Sequence, residues 1–371
     1  MTGRPEDLAV SGAHSGAFRP LRARLVTQEH AVTHVFPMLD ALPASERTSQ
    51  PHPRSGPSRT VAPDGYAEPV TGVYLYRLRR GDHDHVGLVT DVHLESFLDG
   101  RVRGHEEVQS ERVSALVELF SAVPRRSELV ALLHSYGPAV DAAVAASLDT
   151  EPVLRFAGPD DWEQTVWRVP DAEVGPVLDE LGSSVHYVAD GHHRVAASLR
   201  VWEQQGRPAD AAVMCVIYPL DGLRLLAFHR RVAGPVDTEG LLQLLSKSFQ
   251  LTDLVRAEDA TGCFAVYLDG RWYDADFEGV REPGAAGLYV AVLDEHVLRP
   301  LLGGDTGRLE IASALTSLDE LRRACDEDGG ALFALRPPSL AQLTEVADRG
   351  EVMPPKTTYF DPKPYAGIFL R

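Results

Sequence analysis

The sequence predicts an α/β protein with mixed sheets, and three observations carry that prediction. Strand-like and helix-like patterns alternate along most of the 371 residues, an order typical of sheets covered by helices. The chain is longer than a typical single core, so two domains or one elaborated domain are expected. The hydrophobic content is 44% and the charged content 24%, which are ordinary values for a globular protein.

The N-terminal part of the chain combines irregular segments with a hairpin. Residues 1–17 are rich in Gly, Ser and Ala, a composition typical of a disordered start. Residues 43–69 are rich in Pro, Ser, Arg and Thr, which favours a loop or linker over a buried element. Residues 72–78 and 86–92 alternate in hydrophobicity on either side of the polar turn at 81–85. This pattern predicts an antiparallel hairpin.

Helix and strand patterns then alternate to the end of the chain. Apolar residues at helical spacing, at Val113, Leu116, Val117 and Phe120, predict a helix over 107–123. The other predicted helices are 93–98, 137–148, 171–181, 192–205, 238–249, 294–302, 317–326 and 339–349. The predicted strands are 153–156, 163–169, 186–189, 211–219, 223–229, 263–268, 271–273 and 332–335, while 128–134 fits either a strand or a helix.

The overall charge restricts the class of partner. A net charge of -18 argues against binding to a nucleic-acid backbone, which normally requires a basic face. No signal peptide and no membrane-spanning apolar run is recognised, so a soluble cytoplasmic protein without membrane contact is expected. Cys215, Cys263 and Cys325 match no zinc or CxxC spacing, which fits buried thiols in a reducing compartment. The sequence leaves a homodimer open.

The most informative segment is 186–196, which reads HYVADGHHRVA. A short apolar strand passes through Asp190 and Gly191 into the predicted helix, whose free N–H groups and dipole favour an anion. Gly191 allows a positive φ and a close approach of ligand to backbone. Arg194 offers a planar fork suited to phosphate, and Asp190 is a candidate Mg²⁺ ligand or base. The ordinary alternative is an Asp N-cap followed by surface histidines.

Two further polar clusters are candidates for the same site. Residues 101–107 form a predicted turn before a helix and contain His105 and Glu106, for which capping and charge pairing are the ordinary alternative. Residues 229–231 follow an apolar run, and polar groups at the carboxyl end of a strand often line a ligand crevice. A solvated strand end fits those residues equally well.

The C-terminal tail is unusual for a disordered segment. Residues 353–364 combine several prolines with Met, Tyr and Phe, a composition that favours packing against the body of the protein. We expect the tail to present Lys356, Thr357 and Thr358 to a site, with simple docking as the alternative. The P-loop, GxGxxG, GxSxG and zinc signatures are absent from the sequence.

Together these motifs resemble a family known as the domain of unknown function DUF1015. The resemblance spans residues 18–371 and depends mainly on 190–194 and 353–363, with the His-Glu turn near residue 105 and the His-Arg pair after an apolar strand. The chain departs from the family near its N-terminus. The family has a Pro-Tyr-Asp type of segment, whereas residues 35–40 read VFPMLD and are followed by the Pro-rich 43–69 region.

The DGHHR element is also similar to the DGH-x-R turn of the ParB/sulfiredoxin-like superfamily, which includes free-serine kinases. The resemblance implies a ParB/sulfiredoxin-like core at 18–235, with the 43–69 insertion, and an appended C-terminal α/β domain at 236–350. The tail at 351–371 is then expected to pack back toward the site. It further implies that Asp190, Gly191, His192 and Arg194 belong to the nucleotide-phosphate and substrate site. A glutamate serves as base in those kinases, and Glu106 is our candidate for it.

The resulting functional prediction is a kinase that transfers a nucleotide phosphoryl group to the hydroxyl of free serine or a related hydroxy-amino acid. ATP or ADP is the expected donor, with Mg²⁺ held by Asp190. The predicted catalytic residues are Asp190, Glu106 and His192, and the predicted binding residues are Gly191, His193, Arg194, His105, His229, Arg230, Lys356 and Thr357. The alternatives are a non-catalytic nucleotide- or amino-acid-binding regulator, and a metal-dependent hydrolase with Asp190, His192 and His193 as ligands.

Overall fold

A computed structural model describes residues 16–38, 64–123 and 125–371 of the chain. It is a mixed α/β structure with several sheets and helices, which confirms the predicted class. The expected disorder of residues 1–17 and the expected loop at 43–69 lie mostly outside the described residues. The same holds for Leu39 and Asp40 of the divergent N-terminal segment.

The helices and strands are short and numerous. The strands are β1 (Phe18–Arg19), β2 (Leu21–Leu25), β3 (Phe36–Pro37), β4 (Val70–Gly72), β5 (Tyr74–Arg80), β6 (His83–His93), β7 (Val102–Arg103), β8 (Val130–His134), β9 (Leu154–Ala157), β10 (Glu163–Arg168), β11 (His186–Asp190), β12 (Ala212–Pro219), β13 (Arg224–Leu226), β14 (His229–Val232), β15 (Phe249–Leu254), β16 (Phe264–Leu268), β17 (Arg271–Phe277), β18 (Leu309–Ala312), β19 (Ala331–Leu335), β20 (Tyr359–Asp361), β21 (Tyr365–Ala366) and β22 (Phe369–Leu370). The helices are α1 (Ala31–His34), α2 (Ser110–Ala122), α3 (Pro138–Leu148), α4 (Asp171–Gly182), α5 (His192–Gln204), α6 (Thr238–Leu245), α7 (Tyr289–Leu293), α8 (Arg299–Leu302), α9 (Leu318–Asp328) and α10 (Leu340–Asp348).

A nine-stranded mixed sheet positions the Asp-Gly turn. Its order is β7-β11-β8-β12-β6-β5-β10-β9, with β1 paired to β6. β7 pairs in parallel with β11 and β8 in parallel with β12, whereas the other pairs are antiparallel. β8 is buried along its whole length, so the neighbouring β11 is held firmly where it ends at Asp190. The 128–134 segment, which fits a strand or a helix by sequence, is therefore a strand.

A second, antiparallel sheet lies in the C-terminal half. Its order is β15-β17-β16-β19-β14-β18. Strand β14 belongs to this sheet, although it precedes residue 236, where the sequence analysis expects the C-terminal domain to begin. The expected domain boundary stays a prediction.

The apolar run before His229 is wrongly predicted as a single strand. The chain forms β13, which pairs with tail strand β20, and then β14, which pairs with β18 and β19. The buried residues Ala227 and Phe228 lie between these two strands. His229 is therefore the first residue of a strand and not the end of one, because the chain passes from one sheet to another at this point.

The C-terminal tail is built into the fold by three short strand pairings. β20 pairs with β13, β21 with β3 and β22 with β2. Phe360, Tyr365, Ile368 and Phe369 are buried in the main core cluster, so the aromatic residues of the tail have the burial that their hydrophobic area requires. The tail thus joins β13, which precedes β14 of the second sheet in the chain, to the N-terminal strands β2 and β3.

Candidate functional site

The site is centred on the turn between β11 and α5. Gly191 has a φ of 111° and a ψ of 21°, a conformation that favours glycine. A Cβ at this position would lie 2.9 Å from Nη2 of Arg194. The first intrahelical hydrogen bond runs from Val195 N–H to the carbonyl of Gly191 at 2.9 Å. Intrahelical hydrogen bonding therefore begins at the N–H of Val195, and the N–H groups before it belong to the N-terminus of α5.

Asp190 lies between two cations. Its Oδ2 accepts a hydrogen bond from Nη2 of Arg194 at 2.5 Å, and its Oδ1 accepts one from Nζ of Lys363. Burial raises the pKa of Asp190, but the positive charges of Lys363 and Arg194 lower it by more, so the pKa falls to about 2. The carboxylate is therefore ionised at neutral pH, and the sequence analysis missed Lys363 as its partner.

These contacts do not fit the predicted Mg²⁺ site. Arg194 and Lys363 each bind one oxygen of Asp190, and these two cations would repel a metal ion at the same carboxylate. In residues 16–38, 64–123 and 125–371, no group of three or more His, Cys, Asp or Glu side chains is arranged to hold a metal ion. The ligand set of the hydrolase alternative is therefore not formed.

Arg194 has a different role from the predicted phosphate contact. Its side chain is 4% exposed, and its Nη1 donates to the carbonyl of Leu129 and lies 3.6 Å from Sδ of Met38. The other arm of the guanidinium holds Asp190. Because both arms are used inside the protein, Arg194 is a positioning residue for the turn.

His192 is neutral and is held in one tautomer. Its Nε2 accepts a hydrogen bond from the backbone N–H of His105 at 3.2 Å, so the ring proton lies on Nδ1, which is 3.5 Å from Oε2 of Glu106. Burial lowers the pKa of His192 to about 3, although Asp190 acts in the opposite direction. A neutral ring carries no charge that could balance a phosphate, and its Nδ1–H faces Glu106. The catalytic role of His192 stays a prediction.

His105 lies behind His192 and is 1% exposed. The two rings pack edge to face with their centroids 4.6 Å apart. Nε2 of His105 is 3.3 Å from Oγ1 of Thr358, and its backbone carbonyl accepts from the N–H of Met353 at 2.8 Å. Burial, with a smaller effect of His192, lowers its pKa well below the usual value. The ring of His105 is enclosed and joins the turn to the tail, and its binding role stays a prediction.

A cavity of about 220 Å³, called here the Glu106 cavity, opens beside this pair. His193 lines it and is fixed there by the backbone N–H of Gln109, which donates to its Nε2 at 3.0 Å. Burial lowers the pKa of His193 as well. The full lining is Glu106, Glu107, Gln109, Arg112, His193, Phe228, Ile311, Ser313, Pro355 and Lys356. Three predicted site residues, Glu106, His193 and Lys356, therefore meet in one cavity.

Arg230 and Thr357 shape the tail where it reaches this cavity. Nη2 of Arg230 donates to the carbonyls of Pro355 at 3.2 Å and Lys356 at 3.0 Å. The Thr357 hydroxyl donates to the carbonyl of Pro354 at 2.5 Å. Lys356 has a φ of 57°, which is unusual for a residue other than glycine. Arg230 and Thr357 are buried and support the turn that presents Lys356, and their contact with substrate stays a prediction.

His229 lies outside the lining of the Glu106 cavity. Burial and, to a smaller extent, the positive charge of Arg230 lower the pKa of His229 to about 4. Its ring is therefore neutral at pH 7. The prediction of a binding role came from the misplaced strand end, and the structure does not bring this residue to the cavity.

A second cavity of about 370 Å³, called here the Lys363 cavity, reaches the ion-paired turn through Lys363. Lys363 contributes to its wall and bonds to Asp190. The full lining is Pro37, Met38, Arg80, Asp160, Trp162, Arg224, Leu315, Tyr359, Asp361, Pro362, Lys363 and Tyr365. The sequence analysis did not foresee this cavity, since its walls come from segments far apart in the chain.

Comparisons with known proteins give the following similarities. A protein-family model described as protein of unknown function (DUF1015) matches residues 66–295. No curated protein matches the chain. No helix in the described part of the chain is both long and apolar enough to span a bilayer.

Several solved structures are similar at low identity. A free serine kinase in complex with AMP has a TM-score of 0.40 and 15% identity, covering 76% of this chain and 91% of that chain. A conserved hypothetical protein from Pyrococcus furiosus has a TM-score of 0.37 and 15% identity, covering 76% and 93%. SbnI with C-terminal truncation, from Staphylococcus aureus, has a TM-score of 0.40 and 12% identity, covering 74% and 82%. Similarity at this level does not establish a shared activity.

Proposed function

Since the chain belongs to the family described as protein of unknown function (DUF1015), whose description assigns no activity, we propose its function from the site itself. The protein is a small-molecule kinase that transfers a nucleotide phosphoryl group to the hydroxyl of free serine or a related hydroxy-amino acid. The observation that carries the proposal is the meeting of Glu106, His193 and Lys356 in one cavity at the start of α5. A base, a hydrogen-bond donor and a cation are the groups that phosphoryl transfer to an alcohol requires.

Glu106 is the proposed general base. It lines the Glu106 cavity, and the Nδ1–H of the neutral His192 directs its carboxylate. In the transfer step the serine hydroxyl loses its proton to Glu106 while its oxygen bonds to the terminal phosphorus. The bond from that phosphorus to the bridging oxygen breaks, and the shortened nucleotide leaves with the electron pair. Arg112 and Glu107 in the same lining suit the carboxylate and ammonium groups of an amino acid.

The proposed phosphate site uses the start of α5 together with nearby cations. Backbone N–H groups at a helix N-terminus favour anions, Lys356 lines the Glu106 cavity, and Lys363 lines the Lys363 cavity. Phosphoryl transfer depends mainly on positioning and on neutralising charge, which suits a site without a nucleophilic side chain. In this proposal Asp190 is not a metal ligand, and Mg²⁺ is bound only by the phosphates of the nucleotide.

The test is a turnover assay with two neighbouring glutamates compared. The protein is incubated with L-serine, Mg²⁺ and either ATP or ADP, and phosphoserine is followed by ³¹P NMR. Removing a general base costs about 10²- to 10⁴-fold in rate, so Glu106→Gln is expected to lose at least about 100-fold. Glu107→Gln is the matched variant, because it lines the same cavity without the His192 contact, and we expect it to change the KM for serine more than kcat.

The other outcomes each have a meaning. Nucleotide binding without any phosphoryl transfer would contradict the kinase proposal and identify a non-catalytic nucleotide-binding regulator. Phosphoserine formation that is unaffected by Glu106→Gln would contradict the role of Glu106. Absence of nucleotide binding by calorimetry would reject both forms of the proposal.

A further inference from the structure

Residues at one short turn connect the Lys363 cavity with the Glu106 cavity. Lys363 lines the first and bonds to Asp190, whereas His193, three residues after Asp190, lines the second. The loop after β18 contributes to both, with Ser313 in the Glu106 cavity and Leu315 in the Lys363 cavity. The two cavities are therefore adjacent, and a ligand that reached past Lys363 would pass from one toward the other.

Their walls differ in chemistry. The Lys363 cavity has three aromatic side chains, Trp162, Tyr359 and Tyr365, three cations, Arg80, Arg224 and Lys363, and two carboxylates, Asp160 and Asp361. Arg80 lies over the Trp162 ring at 4.4 Å, and Nζ of Lys363 is 5.3 Å from the centre of the Tyr359 ring. Aromatic surfaces with cations at the edge suit a flat heterocycle attached to phosphate, since aromatic side chains stack on bases and Lys or Arg binds phosphate.

The two cavities also differ in volume. The Lys363 cavity measures about 370 Å³, which lies within the range of about 300–1,000 Å³ that is usual for drug-sized ligands. The Glu106 cavity measures about 220 Å³ and holds the candidate base, which has to touch the acceptor hydroxyl. The smaller Glu106 cavity therefore fits an amino acid, and the larger Lys363 cavity, with its aromatic side chains, fits the remaining part of the donor.

We propose that the Lys363 cavity binds the nucleoside portion of the donor nucleotide, while the phosphates extend past Lys363 and the start of α5 toward Glu106. This inference rests on the proposed kinase function, and it assigns the base and sugar to a surface formed by the turn before β10, the loop after β18, and the tail, together with Arg80 and Arg224. Lys363 then contacts the phosphates at the junction of the two cavities.

The test fills each cavity separately with a tryptophan. Leu315 is 54% exposed, so Leu315→Trp places a large ring at the mouth of the Lys363 cavity without emptying the core. Ser313→Trp fills the Glu106 cavity from the same loop. Val255→Trp is the surface control, because Val255 is 88% exposed and lines neither cavity. Melting temperatures of the three variants establish that each is folded.

Calorimetry with ADP and with inorganic tripolyphosphate separates the nucleoside from the phosphates. We expect Leu315→Trp to weaken ADP binding at least tenfold while changing tripolyphosphate binding less than twofold. Ser313→Trp is expected to raise the KM for serine more than it weakens ADP binding, and Val255→Trp to bind ADP as the unaltered protein does.

Three results would count against the inference in different ways. Unchanged ADP binding by Leu315→Trp would overturn the nucleoside subsite, and so would an equal loss of ADP and tripolyphosphate. Loss of serine use by Leu315→Trp with normal ADP affinity would make the Lys363 cavity the acceptor site instead. If the unaltered protein binds neither ADP nor tripolyphosphate, the proposed function itself fails.

Discussion

Replacing Asp190 with Asn removes the charge that holds Arg194 and Lys363 at the start of α5. Asparagine keeps the shape of the side chain, but the two cations then face each other without a carboxylate. The Arg194 side chain is 4% exposed and that of Lys363 is 23% exposed, so water compensates little for the lost charge. Removing one partner of a buried ion pair costs about 3–5 kcal/mol.

The pKa of Asp190 gives a second measure of the same loss. It falls from 3.8 to about 2, and each pKa unit corresponds to about 1.4 kcal/mol. Neutralising this carboxylate should therefore cost about 2.5 kcal/mol, and an uncompensated pair of cations adds to that value. We expect Asp190→Asn to lower the free energy of unfolding by about 2–5 kcal/mol.

Denaturation by urea at pH 7, followed by circular dichroism, measures this loss. Lys363→Met and the double variant complete a thermodynamic cycle. The double variant removes both charges of one pair, so its loss should be smaller than the sum of the two single losses by at least about 1 kcal/mol. A loss below about 1 kcal/mol for Asp190→Asn, or strictly additive losses, would refute the ion-pair account of the turn.

Two further predictions concern stability at the same turn. Burial lowers the pKa of His192 to about 3 in the folded chain, from about 6.5 when unfolded. Its contribution to stability is therefore complete above pH 6.5 and is lost as the pH falls toward 3, by about 2–3 kcal/mol at pH 4.5. Denaturation at pH 7.0 and 4.5 should show a smaller pH dependence in His192→Gln, and an unchanged slope would contradict the neutral buried ring. Gly191→Ala should cost about 1–3 kcal/mol, because φ is 111° and the new Cβ meets Arg194. Gly81→Ala is the control, with a φ of 57° and open space around the Cβ, and it should lower the melting temperature less; equal losses would show that the contact with Arg194 is unimportant.

The Asp-Gly turn could be predicted from the sequence because its determinants are local. An apolar strand, a glycine and a helical run are consecutive in 186–204, and the structure places β11, the positive φ of Gly191 and α5 there. The clustering of Glu106, His193 and Lys356 depended on motif resemblance rather than on local pattern. Nothing in the spacing of these residues fixes the distance between them.

The partner of Asp190 could not be predicted in the same way. Lys363 lies 173 residues further along the chain, and the sequence around it differs little in character from that around Lys356, which the sequence analysis chose instead. The pairing depends on the path of β20 and β21 across strands β13 and β3. That path is set by tertiary packing, for which a single sequence gives no local signal.

The burial of His192 and His229 could not be predicted for a related reason. A histidine in a polar motif suggests a charged or proton-transferring group, but burial lowers the pKa of each ring below neutrality. The change of sheet at Ala227 and Phe228 is equally invisible in the sequence, because β13 and β14 pair with strands that lie between 77 residues (Val232 to Leu309) and 137 residues (Arg224 to Asp361) further along the chain. Burial and long-range pairing are properties of the folded chain alone.

The most direct test of the account is the position of bound phosphates. A crystal structure with a non-hydrolysable ATP analogue and L-serine should place the terminal phosphate within hydrogen-bond reach of the N–H groups at the start of α5. The serine hydroxyl should lie beside Glu106, and Lys363 should contact the phosphates. A nucleotide bound elsewhere on the protein, with its phosphates away from α5 and Glu106, would contradict the central claim.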